Sequence, residues 1–137
     1  MNGEDKRYLV LAWTCTIVLV VILCLLPRGV FGHDIEHPEL DQWYAHLMQP
    51  DVPTASCCGE ADAYWCDETH VRDGKMFCAI TDDRDDAPLK REHRDIGTEY
   101  EIPPYKLTYK DGNPTGHSIV FLSRGDYVYC FVMGSGV

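Results

Sequence analysis

The sequence predicts a mainly β domain of the α+β kind, stapled by disulfides and carried behind an N-terminal export helix. Three observations predict it. An uncharged apolar run fills residues 8–26, a single helical stripe is followed by closely spaced turn signals, and five of the seven cysteines fall outside the apolar run.

The N-terminal run comes first. Lys6 and Arg7 precede it, and Val, Leu, Ile, Trp, Thr and Cys fill it from Tyr8 to Leu26. As a helix rising about 1.5 Å per residue, it comes close to crossing the roughly 30 Å hydrocarbon core of a bilayer. The basic residues ahead of it favour an N-terminus kept inside, so the chain after Pro27 is expected on the far side. Its length suits a retained anchor, whereas Val30-Phe31-Gly32 offers small residues at a signal cleavage site before His33. The expected division is therefore a signal peptide or anchor over 1–32 and an exported β-rich domain over 33–137. If the run is retained, the membrane is a partner.

The exported part carries nine Lys+Arg against twenty Asp+Glu, a net charge of −11. A domain this acidic repels phosphate backbones and anionic headgroups, which excludes nucleic acid as the expected partner. Basic partners, metal cations or plain solubility are compatible with the charge, and solubility is the usual explanation. About 100 residues make one domain whose modest core gains from covalent staples.

Within that domain, Pro38 suits a first helical turn, with Glu39 and Asp41 where the helix dipole favours negative charge. Leu40, Trp43, Tyr44, Leu47 and Met48 form one apolar stripe at helical spacing, expected to cap the core, and Pro50 ends it. A Cys-rich turn spans 56–66. Asp73-Gly74 between Glu68–Val71 and Met76–Ile80 is a two-residue hairpin signal. Residues 81–95 read as a charged surface loop. Thr98, Tyr100 and Ile102 alternate with polar neighbours, Pro103-Pro104 turns the chain, and Leu107 and Tyr109 lead into a turn cluster at 110–114. A last pair runs from Ser118 to Leu122 and from Tyr127 to Met133 around Ser123-Arg124-Gly125-Asp126. Val128, Cys130 and Val132 are expected on one face of that final strand, with Tyr127, Tyr129 and Phe131 on the other. Both faces are apolar, so the strand is expected to be central. The whole suggests an antiparallel sheet curling into a small barrel or sandwich.

Cys15 and Cys24 lie in the apolar run and act as small hydrophobes. Cys57, Cys58, Cys66, Cys78 and Cys130 are disulfide candidates, the default in an exported small domain. We expect Cys66–Cys78 across the first hairpin and Cys130 joined to one of the neighbours Cys57 and Cys58. Adjacent cysteines close a strained ring when they bond to each other, and the odd number leaves one over.

A metal alternative rests on His33, which cleavage after Gly32 would make an N-terminal histidine, on His37, and on a leftover soft thiol such as Cys57. That set would suit copper or zinc. The aspartates of Asp82–Asp86 lack the alternation and central glycine of a calcium loop. Arg124-Gly125-Asp126 is explained by its hairpin turn. No haem, redox-pair, nucleophile-elbow or phosphate-loop motif is present, so an enzyme is not expected and no cofactor is required.

Three stretches carry a family resemblance: Leu47-Met48-Gln49-Pro50-Asp51, Ser56-Cys57-Cys58-Gly59-Glu60-Ala61-Asp62-Ala63-Tyr64-Trp65, and Gly112-Asn113-Pro114-Thr115-Gly116-His117 with Val128-Tyr129-Cys130. Together the chain resembles a group of small exported proteins of alphaproteobacteria without an assigned function. The resemblance spans nearly all of the exported part, and its middle motif is specific. It implies a periplasmic setting and supports joining the Cys57/Cys58 turn to Cys130; it supplies no activity. The functional expectation is a non-enzymatic envelope protein of structural or partner-binding type, with a small copper- or zinc-binding protein as the alternative.

Overall fold

The structure, a computed structural model, describes residues 13–18, 37–109 and 112–134. Residues 13–18 are helical, with Trp13, Ile17 and Val18 more than half exposed. Among the described residues no helix is long and apolar enough to cross a membrane. Most of the 8–26 run, the candidate cleavage site and His33 lie outside the described residues.

Pro38 opens a 3-10 turn, Pro38–Leu40, which runs directly into helix α1, Asp41–Ala45. Seven strands follow: β1 Asp62–Trp65, β2 Glu68–Arg72, β3 Lys75–Ala79, β4 Glu99–Ile102, β5 Leu107–Thr108, β6 Ile119–Leu122 and β7 Val128–Val132. One short helix, α2 (Asp86–Leu89), lies between β3 and β4. The strands form a four-stranded sheet in the order β1-β6-β7-β5 and a three-stranded sheet in the order β2-β3-β4. The fold is therefore mainly β, but the sheets do not close into a barrel. The pairing is not wholly antiparallel either, because β5 runs parallel to β7, with Leu107 opposite Phe131 and Thr108 opposite Val132.

The four-stranded sheet is covered on both faces. Tyr64, Val120, Leu122, Val128 and Phe131 face the second sheet and pack on Cys78, Ile80 and Ile102. On the other face Ile119, Phe121, Cys130 and Val132 receive Tyr44 and Leu47 from α1 and the chain just after it. So the molecule has three layers, and the apolar stripe caps the core as expected, except that its last member, Met48, is left 37% exposed. The helix stops at Ala45, and Met48 instead bridges to Ser56 in an extended segment.

The final strand is central, between β6 and β5. Its faces differ from expectation. Phe121 pairs with Cys130 and Leu122 with Val128, so Tyr129 is an extra residue in the strand. Such a bulge shifts the period-two alternation by one. Val128 therefore joins the inter-sheet core with Phe131, while Cys130 and Val132 turn to the helix side.

Two disulfides staple the layers. Cys57–Cys130 closes the chain after α1 onto β7, and Cys66–Cys78 ties the end of β1 to β3. Each joins one layer to the next. Disulfides of this kind fit an oxidising, exported setting.

Candidate functional site

The turn between β4 and β5 begins with Pro103-Pro104, whose rings fix φ and favour a tight 3-10 turn over Pro104–Lys106. That turn drives Lys106 inward. Its residue is 1% exposed, yet its ammonium is satisfied: Nζ lies 2.8 Å from Asp51 Oδ2 and donates to Gln49 Oε1 at 3.4 Å. Gln49 and Asp51 reach it from the loop after α1. That loop is closed by Gln49 N–H to Ala55 O at 2.8 Å and by Cys57 N–H to Leu47 O at 2.8 Å. Burial opposes the charge on Lys106, but the Asp51 carboxylate and Tyr127 outweigh it and hold the lysine above its ordinary value. The same contact holds Asp51 below the usual carboxylate range.

Two tyrosines flank this buried charge, and a third meets one of them. The Tyr105 ring centre lies 5.8 Å and the Tyr127 ring centre 5.1 Å from Lys106 Nζ, and Tyr127 meets Tyr129 edge-to-face at 5.1 Å. Tyr105 and Tyr127 remain 59% and 52% exposed. Tyr129, the bulge residue, joins this group through Tyr127. Two exposed rings thus flank the lysine, one on the proline turn and one just ahead of the central strand.

No family model, curated protein or solved structure matches the chain. The reading of the site therefore rests on its own geometry.

A second cluster lies at the end of β1. Trp65 stacks on His117 with ring centres 3.9 Å apart, and Arg84 sits 4.2 Å over the indole. His117 Nδ1 is 2.8 Å from Asp67 Oδ2, while Asp67 Oδ1 accepts Ser118 N–H at 2.7 Å and Thr81 donates its hydroxyl to Asp67 Oδ2 at 3.1 Å. An oriented imidazole of this type is the geometry of a general base. Here one nitrogen is bound by the carboxylate, one face is covered by indole, and the neighbouring hydroxyl is turned to the carboxylate. The arrangement clamps the β1–β2 connection to the start of β6.

The third cluster corrects the solvated-loop reading at Asp82 and Arg91, while Asp83, Asp85 and Asp95 stay exposed. The Asp82 side chain is fully buried and accepts from Trp65 N–H, Arg84 Nη2 and Arg91 Nη1. Arg91, 3% exposed, also reaches Asp86 Oδ1 at 2.6 Å and the carbonyl of Ala63 at 2.9 Å. Burial alone would raise the Asp82 pKa, but Arg84 and Arg91 override it and hold the carboxyl far below the carboxylate range.

Of the disulfide candidates, Cys57, Cys130, Cys66 and Cys78 are bonded and Cys58 is free. Of the metal set, His37 and Cys57 fall among the described residues. Cys57 has no thiolate to offer while bonded to Cys130, His37 pairs with Glu39 at 2.9 Å, and His33 lies outside the described residues. The leftover Cys58 thiol donates to Tyr44 O at 3.4 Å, and burial pushes it up to about 12, so it stays protonated near neutrality. A protonated thiol is a poor ligand and a poor nucleophile. Among the described residues, no group of three or more His, Cys, Asp or Glu side chains could hold a metal ion.

Lys106, Asp67 and Asp82 do not stand out in the sequence. Pro103-Pro104 announces a turn, but not that the lysine at its end points inward.

Proposed function

We propose that the protein is a non-enzymatic envelope protein, exported across the inner membrane, whose acidic domain binds a protein partner through the tyrosine surface around Lys106. If its apolar segment is uncleaved, it is held at the membrane as an accessory subunit. The observation that carries this is the exposure of Tyr105 and Tyr127, both within reach of Lys106, with Tyr129 against Tyr127. Tyrosine supplies a large amphipathic contact at low entropic cost and is enriched in binding surfaces. A net charge of −11 after residue 32 favours a partner with a basic face.

A photo-crosslinking residue placed at Tyr105 or Tyr127 in the full chain, expressed in its native envelope, tests the proposal. Discrete protein adducts are expected from both positions and not from Ile96, which is 65% exposed elsewhere. Equal adduct patterns from all three positions, or none from any, would end it. The copper or zinc alternative would have to rest on His33 and His37 without Cys57. Metal analysis of the reconstituted protein separates it, since stoichiometric metal would favour that reading.

A further inference from the structure

We propose that two copies of this chain pair through the free edge of β2, antiparallel about a two-fold axis at His70, fusing two three-stranded sheets into one of six strands. The inference uses none of the tyrosine surface and stands apart from the function proposed above.

β2 is the terminal strand of its sheet, with β3 on one side, and its five residues are all exposed. Val71 is 73% exposed. The two-residue turn at Asp73 and Gly74, both at positive φ, makes Arg72 and Lys75 a hydrogen-bonded pair at the hairpin end. Alternation along an antiparallel ladder then aims the backbone N–H and C=O of His70 at β3, and those of Thr69 and Val71 outward. A row of outward groups is a template for another strand.

The pentapeptide Glu68-Thr69-His70-Val71-Arg72 is complementary to itself. Centred on His70, the antiparallel register sets Thr69 opposite Val71 of the second copy. Both residues carry outward groups, so the ladder closes in phase. The same register sets Glu68 opposite Arg72 of the second copy, twice over, and directly opposed unlike charges favour a pairing. An axis normal to the sheet keeps like faces together. Glu68, His70 and Arg72 then share the outer face with Phe77, and Thr69 and Val71 share the inner one. Sliding the register by one residue points outward groups at inward ones. Sliding it by two sets Val71 against Asp67, or Thr69 against Asp73, and loses the Glu–Arg pairs. Arg72 already lies 4.2 Å over Phe77 and donates to Glu99 at 3.1 Å, and its fork of five N–H donors leaves some for a second carboxylate.

The full chain with Cys15→Ser and Cys24→Ser is the background for the test. His70→Cys sits on the two-fold axis as a non-hydrogen-bonded pair, about 4.5 Å between Cα atoms, which a disulfide can bridge. The expected result is an intermolecular disulfide for His70→Cys and not for Thr69→Cys, with the two native disulfides intact by mass mapping. Adding Glu68→Lys to one His70→Cys preparation, or Arg72→Glu to another, is expected to cut crosslinking about tenfold by opposing like charges twice. Mixing these two preparations is expected to restore it, because every opposed pair is then of unlike sign. Sedimentation of the unaltered full chain is expected to show a dimer. A monomer there, equal crosslinking at 69 and 70, or no rescue on mixing would overturn the proposal.

Discussion

Replacing Asp82 by alanine should destabilise the domain more than any other single surface-loop substitution. Its carboxylate is fully buried and accepts from two arginines and the Trp65 amide. Without it, Arg91 keeps only Asp86 and two carbonyls as partners at 3% exposure, and Arg84 loses its anchor. Breaking one side of a buried ion pair costs about 3–5 kcal/mol. Set against a total stability of about 5–15 kcal/mol, that is a large fraction. Urea unfolding of the disulfide-intact protein, followed by tryptophan fluorescence, should show the midpoint falling by roughly 2 M for a slope of about 1.5–2 kcal/mol per M. The pH dependence has a fixed sign. Asp82 is depressed in the fold, so its contribution is present above the unfolded value of about 3.9 and is lost as pH falls from there through the folded value. The Asp82→Ala protein should lose less stability than wild type over that acid range. A double-mutant cycle with Arg91→Met should give a coupling of about 2 kcal/mol. A loss under about 1 kcal/mol for Asp82→Ala, or an additive cycle, would refute the reasoning.

Three other expectations follow from the same structure. Removing Cys57–Cys130, whose partners are 73 residues apart, should cost about 4–5 kcal/mol, and removing Cys66–Cys78, separated by 12, about 3 kcal/mol; paired alanine variants compared in urea would reverse this order if the entropic argument fails. The Cys58 thiol, pushed up to about 12, should resist iodoacetamide at pH 8 in the folded protein and react once unfolded, as read by peptide mapping; rapid native labelling would show that its burial is wrong. Asp86 first, then Asp95, raises His93 above the ordinary histidine value of 6.5. Its NMR titration midpoint should lie above that value and fall in Asp86→Asn. The linked stabilisation is full below the unfolded pKa and fades as pH rises through the folded one.

What the sequence disclosed and what it hid divide along a physical line. Signals carried by adjacent residues were legible. Asp73-Gly74 closes the hairpin, Pro38 opens the first turn, and the apolar faces of 118–122 and 127–133 make the central pair. Features set by a single extra residue or by partners far along the chain were not. Tyr129 moves Cys130 to the opposite face from Val128, and nothing in the local pattern marks the bulge. β1 was hidden inside the Cys-rich turn because Ala61, Ala63 and Trp65 pack on the helix side while Tyr64 and Cys66 pack on the second sheet, so that, Asp62 apart, the alternation lacks a polar side. Asp82 sits in a run of aspartates and arginines that composition assigns to solvent; only the return of Arg91 from nine residues away makes it internal.

The same distinction bears on the tyrosine surface. Lys106 and Asp51 are 55 residues apart, and the loop holding Asp51 is itself fixed by Cys57, which is bonded to β7. The disulfide, the buried ion pair and the aromatic rings thus form one chain of support from the segment after α1 to β7, which bears Tyr129 and follows directly on Tyr127. A buried ion pair is a costly way to hold a loop, since an apolar pair of like volume often does as well or better, whereas removing one partner alone strands the other charge. What the pair adds is an ammonium 5.8 Å from the Tyr105 ring centre and 5.1 Å from that of Tyr127, which an apolar substitute would remove. Replacing the pair together, Lys106→Met with Asp51→Leu, should therefore leave the two disulfides and the fold in place yet alter crosslinking at Tyr105 and Tyr127. If it leaves both adducts unchanged, the pair serves the loop alone.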